Sequence, residues 1–116
     1  MTADPLDDIA VSDTARAKRR RYLTPSRLAA VLRTDEGRVY RRTSPNHDGL
    51  YADDEFILRG TFDGLALDVV FAVERDPARV VVITQMSQHA ESLRGRFYER
   101  VGDTAADAVE RLRAER

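Results

Sequence analysis

The chain of 116 residues contains no cysteine, no tryptophan, one lysine and two histidines. Without cysteine, disulfide bonds and thiolate chemistry are excluded, and a zinc site is not expected because His47 and His89 would be its only imidazole ligands. No apolar run approaches the roughly 20 residues that a membrane-spanning helix needs. The N-terminus lacks the basic patch and apolar stretch of a secretory signal. We therefore expect a cytoplasmic chain with no metal, no cofactor and no membrane partner.

Arginine is abundant where lysine is scarce, with 18 Arg against one Lys and 13 Asp against seven Glu. A GC-rich genome explains that composition by itself, so the position of the charges is more informative than their number. Residues 16–42 carry ten basic side chains against Asp35 and Glu36, whereas residues 1–15 carry four Asp and no base. Such a basic block creates a local field that attracts a polyanion even when the net charge of the chain is −1.

The basic block supplies the candidate residues for binding nucleic acid. Clustered arginines neutralise phosphates and can grip them bidentately. The alternative is a solvated helical surface, or pairing with acidic residues of the same chain. The candidates are Arg16, Lys18, Arg19, Arg20, Arg21, Arg27, Arg41 and Arg42.

The length allows one hydrophobic core, and the pattern predicts an α+β fold. We expect residues 1–11 to be an acidic flexible leader and residues 12–116 to form a single domain. Two N-terminal helices should come first, over 12–21 with Ser12 as N-cap and over 25–33 after Thr24 and Pro25. A short antiparallel sheet of three to four strands and one or two C-terminal helices should follow.

Strand signals are clearest in the middle of the chain. Asp63-Gly64 is typical of a hairpin turn, and residues 65–73 alternate between apolar and mixed positions. The apolar run 80–84 should be the adjacent antiparallel strand, and the inward side chains should include Leu67, Val69, Phe71, Val80 and Val82. The spacing of Leu93, Phe97 and Val101 predicts a helix from Ser87 to about Gly102, and Thr104 should cap a last helix over 105–113.

Two residues are candidates for catalysis. Arg59, on a predicted strand, could stabilise charge that develops on a phosphate, and His89, after the central strand, could transfer a proton. The alternative for Arg59 is an ion pair with Asp68 or Glu74 across the hairpin.

Several segments follow one another in a characteristic order: residues 12–16, residues 21–24, the apolar helix from Leu28 to Leu32, and the strands at 64–70 and 80–84. The order of these segments resembles that of a small prokaryotic domain family allied to RelE-like and BrnT-like toxins. The resemblance covers about three-quarters of the chain and implies RNA contact or metal-independent RNA cleavage, with an antitoxin-like protein as a further partner. Two departures stand against cleavage. Such domains often have a His in the first helix, where this chain has Asp13 or Thr14, and a Thr-x-Tyr ending the last strand, where it has Thr84-Gln85-Met86.

Three functions remain open from the sequence. The first is a toxin-like domain that binds RNA in preference to DNA. The second is a helix-turn-helix regulator in which 25–33 is the first helix, 38–42 begins the recognition helix and the Asp63-Gly64 hairpin is a wing. The third is an interaction domain whose basic and acidic surfaces bind another protein.

Overall fold

A computed structural model describes residues 4–43, 54–75, 78–88 and 98–115. A 3₁₀ helix at Pro5–Asp7 precedes the main elements. The helices are α1 (Asp13–Ala17), α2 (Pro25–Thr34) and α3 (Ala105–Ala114). The strands are β1 (Ile9–Val11), β2 (Arg38–Arg42), β3 (Glu55–Phe62), β4 (Leu65–Arg75), β5 (Ala78–Ser87) and β6 (Tyr98–Gly102).

The six strands form one mixed sheet in the order β1-β5-β4-β3-β2-β6. All neighbouring pairs are antiparallel except β1 with β5. The prediction of a purely antiparallel sheet of three to four strands is therefore wrong, because β1 and β6 extend the sheet at its two edges. Both edge strands are short, and their backbone pairing rather than any residue pattern defines them.

Residues 4–11 are part of this fold, so the predicted flexible leader over residues 1–11 is wrong for the residues that the structure describes. Asp4 caps the 3₁₀ helix by accepting a hydrogen bond from the Leu6 N–H, and Pro5 and Leu6 are buried. Strand β1 then pairs with β5 in parallel, with Ile9 beside Val80. Acidic residues flank this apolar segment, which is why its composition indicates a solvated tail.

The predicted helix from Ser87 to about Gly102 is wrong at both described ends, because Ser87 is the last residue of β5 and residues 98–102 are extended. Tyr98–Gly102 is a strand paired with β2, not the end of a helix. The rest of that predicted helix, from residue 89 to 97, lies outside the described residues. The last helix is found where the sequence predicts it, with Thr104 as its N-cap.

The central hairpin confirms the predicted strand pairing. Asp63 and Gly64 have φ angles of 52° and 80°, the left-handed conformation that two-residue hairpin turns require. Strands β3 and β4 pair from this turn, and β4 pairs antiparallel with β5. The predicted inward side chains are all buried: Leu67, Val69, Phe71, Val80 and Val82.

The main core lies between one face of the sheet and the three helices. The apolar stripes of α2 and α3 pack there against alternate side chains of the central strands, including the stacked rings of Phe56 and Phe71. A smaller apolar cluster, centred on Tyr40, Ile57 and Val70, lies on the other face. None of the described helices is long and apolar enough to cross a membrane.

Helix α3 begins with a reciprocal capping box that yields a pH-dependent prediction. The Asp107 carboxylate accepts hydrogen bonds from the Asp103 and Thr104 N–H groups at 2.7 and 3.0 Å. These bonds lower the pKa of Asp107 below its usual range. Because a lowered folded-state pKa stabilises the protein above the unfolded pKa of about 4, the contribution is lost as pH falls through the folded value.

We expect Asp107→Asn to reduce the free energy of unfolding by about 1 kcal/mol at neutral pH, as for loss of other helix caps. The difference from wild type should shrink as pH falls from about 4 through the lowered folded-state pKa of Asp107, where the wild-type carboxyl becomes uncharged. Urea unfolding at several pH values measures it. Glu110→Gln, which removes an exposed partner of Arg113 on the same helix, is the control and should change little at any pH. A pH-independent deficit for Asp107→Asn would contradict the prediction.

Candidate nucleic-acid interface

Helix α1 ends early and leads into a turn that carries most of the basic block. Ser12 caps the helix by accepting a hydrogen bond from Ala15 N–H, and its own N–H donates to the Val82 carbonyl on β5 at 2.9 Å. The helix stops at Ala17 instead of continuing to Arg21. Consecutive charges at 18–21 would place a charge on every face of a longer helix, including the face that packs on the sheet.

A buried glutamine fastens this turn to the sheet. The Gln85 side chain is 0% exposed, and its amide nitrogen donates to the carbonyls of Ala15 and Leu23 at 3.2 and 2.8 Å. Its amide oxygen accepts from the Leu23 N–H at 2.9 Å. Lys18 adds a second link, because its ammonium donates to the Thr84 hydroxyl and the Gln85 carbonyl. The turn therefore has a fixed position beside the end of β5.

Four arginines are exposed around this turn, and we call them the basic turn: Arg16, Arg19, Arg20 and Arg21. Within the described parts of the chain, none of them forms an ion pair with a carboxylate. Arg16 donates to the Val11 carbonyl and Arg19 to the Arg16 carbonyl, and neither of these acceptors carries a charge.

The other arginines present a contrast, because most of those described are paired with acids. The pairs are Arg27–Asp63, Arg41–Glu115, Arg42–Glu55, Arg59–Asp68, Arg75–Asp54, Arg79–Glu74, Arg100–Asp103, Arg111–Glu99 and Arg113–Glu110. Among the other described arginines only Arg33, on α2, and Arg38, on β2, form no ion pair, so the basic turn is the main cluster of arginines without a carboxylate partner in the described residues.

The structure brings together four of the eight predicted nucleic-acid-binding residues and separates the others. Lys18 points to β5. Arg27 forms a bidentate ion pair with Asp63 at 2.8 and 2.7 Å, which is the main cause of the lowered pKa of Asp63. Arg41 and Arg42 lie on β2, three strands away from β5, and each pairs with a carboxylate.

Arg59 is held in a nearly buried ion pair with Asp68. Its guanidinium donates twice to that carboxylate, both at 2.8 Å, and the two side chains are 11% and 8% exposed. The hydrogen bonds raise the pKa of Arg59 above its usual value. This is the cross-hairpin pairing that the sequence offers as the alternative to a catalytic role.

A cleft of about 350 Å³ lies beside Arg59 at the end of the sheet. Arg38, the residue opposite Arg59 on β2, lines it together with Gln88, whose amide donates to the Gly60 carbonyl at 3.1 Å. His89 lies outside the described residues. Among the described residues, no group of three or more His, Asp or Glu side chains could hold a metal ion.

The helix-turn-helix arrangement is not present. The segment that would begin the recognition helix, Arg38–Arg42, is strand β2. It is hydrogen-bonded to β3 on one side and to β6 on the other. Val39 and Tyr40 are buried side chains of the sheet. A regulator of that type would need this segment to enter a groove of DNA as a helix.

No protein-family model matches the chain, and no curated protein or solved structure matches it. Function is therefore inferred from the basic turn and the groups that hold it.

Gln85→Leu should destabilise the protein by about 3 kcal/mol, because two buried backbone groups of Leu23 lose this hydrogen-bond partner. Thr84→Val is the matched control. It removes the hydrogen bond that the Thr84 hydroxyl accepts from the Lys18 ammonium and should cost about 1 kcal/mol. Urea unfolding measures both. If Gln85→Leu is as stable as wild type, Gln85 does not hold the turn.

Arg59→Met should cost about 3 kcal/mol, because it leaves the Asp68 carboxylate in a nearly buried position without its partner. The double variant Arg59→Met, Asp68→Leu should lose less than the sum of the single variants, since replacing both charges removes the unpaired ion. Additive losses in this double-mutant cycle would show that the pair contributes nothing to stability.

Proposed function

We propose that this chain is an RNA-binding domain that holds the phosphate backbone of RNA with the basic turn and does not cut it. The observation that carries the proposal is that these four arginines, on and beside a turn fixed to the sheet, form no ion pair with any described carboxylate. An arginine already paired with a carboxylate must give up that partner to bind a phosphate, whereas these four have no such partner in the part of the chain that the structure describes. Guanidinium groups also fit phosphate geometry bidentately.

The proposal favours RNA over duplex DNA for two reasons. The resemblance to RelE-like and BrnT-like toxins points to RNA, and the proposal accordingly places the chain in the cytoplasm. Helix α1 has five residues and spans about 7 Å, which is short for an element that reads bases in a major groove. Contact through phosphates alone requires no such helix.

Binding without cleavage follows from the surroundings of Arg59. A cation that stabilises developing charge must be free to face the reacting phosphate. The Arg59 guanidinium instead donates two hydrogen bonds to Asp68. Asp13 or Thr14, and Met86, also stand where the resembling family often has His and Tyr. An acidic protein partner, such as an antitoxin-like chain, would compete for the same four arginines.

The triple variant Arg19→Ala, Arg20→Ala, Arg21→Ala should weaken binding to RNA of any sequence. It should also flatten the dependence of log affinity on log salt by about two units, since each phosphate contact on a single strand contributes roughly 0.7. Fluorescence anisotropy over a salt series measures both quantities. The control removes three paired arginines from the other end of the protein: Arg100→Ala, Arg111→Ala, Arg113→Ala.

Equal weakening by the two triple variants would mean that total charge, not the basic turn, determines affinity. If the wild type does not bind RNA but captures an acidic protein at the same turn, the ligand of the basic turn is a protein and not RNA. Incubation with RNA in the presence of a chelator tests the absence of cleavage. Cutting by wild type that is lost in Arg59→Ala or His89→Ala would restore the catalytic assignment.

A further inference from the structure

Tyr22 follows the basic turn directly and is fixed at several points. Its hydroxyl shares a hydrogen bond with the Ser87 hydroxyl at 3.0 Å, and its N–H donates to the Lys18 carbonyl at 3.0 Å. The hydrogen bond with Ser87 is the largest cause of a lowered pKa of Tyr22, to which the charge of Arg21 adds. The next residue, Leu23, is held by Gln85. The half-buried ring therefore has little freedom left to lose when a ligand binds.

The ring of Tyr22 is paired with an exposed guanidinium. The Arg21 guanidinium carbon lies 5.8 Å from the ring centroid, within the range of a cation–π contact. The other such contact in the described residues, Arg41 with Phe56, is closed to ligands, because Phe56 is fully buried and Arg41 pairs with Glu115. Arg21 is an exposed residue, and Tyr22, which packs against the main core, is only partly buried.

We infer that the Arg21–Tyr22 pair is a stacking site for one unpaired nucleobase, so that the RNA at the basic turn is single-stranded. The inference rests on the proposed function. Aromatic rings and guanidinium planes are the groups on which splayed bases stack, and in a duplex those base faces are covered by neighbouring bases. Phosphates are present in both forms. The basic turn would supply affinity for either form, and the Arg21–Tyr22 pair would select the unpaired one.

The test compares a labelled single-stranded RNA with a duplex of equal phosphate count, using fluorescence anisotropy on the full chain. Tyr22→Leu keeps an apolar side chain but removes the ring, and should weaken single-strand binding about tenfold while leaving duplex binding unchanged. Tyr22→Phe and Ser87→Ala both lose the hydroxyl pair but keep a ring, and should stay within about twofold of wild type on both ligands. Circular dichroism checks that each variant is folded.

Each result decides the inference. If Tyr22→Leu weakens binding to the single strand alone, the inference is supported. If it weakens binding to both ligands equally, the ring only supports the turn, and if it does not weaken single-strand binding, no base stacks there. Either of these two results overturns the inference and leaves the proposed role of the basic turn in place. If wild type binds neither RNA, the proposed function fails, and the stacking site fails with it.

Discussion

The buried amide of Gln85 is the constraint on which the candidate interface depends. Four arginines within six residues repel one another, and an unsupported turn of that composition would gain little from ordering. Gln85 offsets this cost with three hydrogen bonds to the backbone of Ala15 and Leu23, in a place where water cannot substitute for them. The repulsion is thus held in the folded state, where a bound anion would relieve it.

The many surface ion pairs matter here less for stability than for the field around the protein. An exposed arginine–carboxylate pair contributes between 0 and about 1 kcal/mol, so the pairs on α3 and the sheet are not what holds the fold. Each pair does cancel the local potential of its arginine. Because such pairs include nine of the described arginines and none of the basic turn, a near-neutral chain can still present a positive region to a polyanion.

Element boundaries could be predicted where a residue type favours one local conformation. The structure has such boundaries at Thr24 with Pro25, at Asp63 with Gly64 and at Thr104. The edge strands β1 and β6 carry no such signal, since their extended form depends on partners distant in the chain. The basic block is visible in the sequence, but its division into paired and unpaired arginines depends on tertiary contacts. Gln85 gives no sign of its role, because a glutamine after an apolar strand is ordinarily a surface residue.

The same reasoning separates Arg59 from the arginines of the basic turn. Both are arginines, which bind phosphate, and Arg59 lies outside the main core to which Phe56 and Leu58 of the same strand belong. The two differ in their neighbours: β4 places Asp68 directly opposite Arg59, whereas no carboxylate among the described residues pairs with the arginines of the basic turn. A guanidinium that has a carboxylate in place stabilises the fold, and one without a carboxylate is available to a ligand. The arrangement of acids, more than the arrangement of arginines, thus determines which part of this surface has the unpaired cations that the proposed function requires.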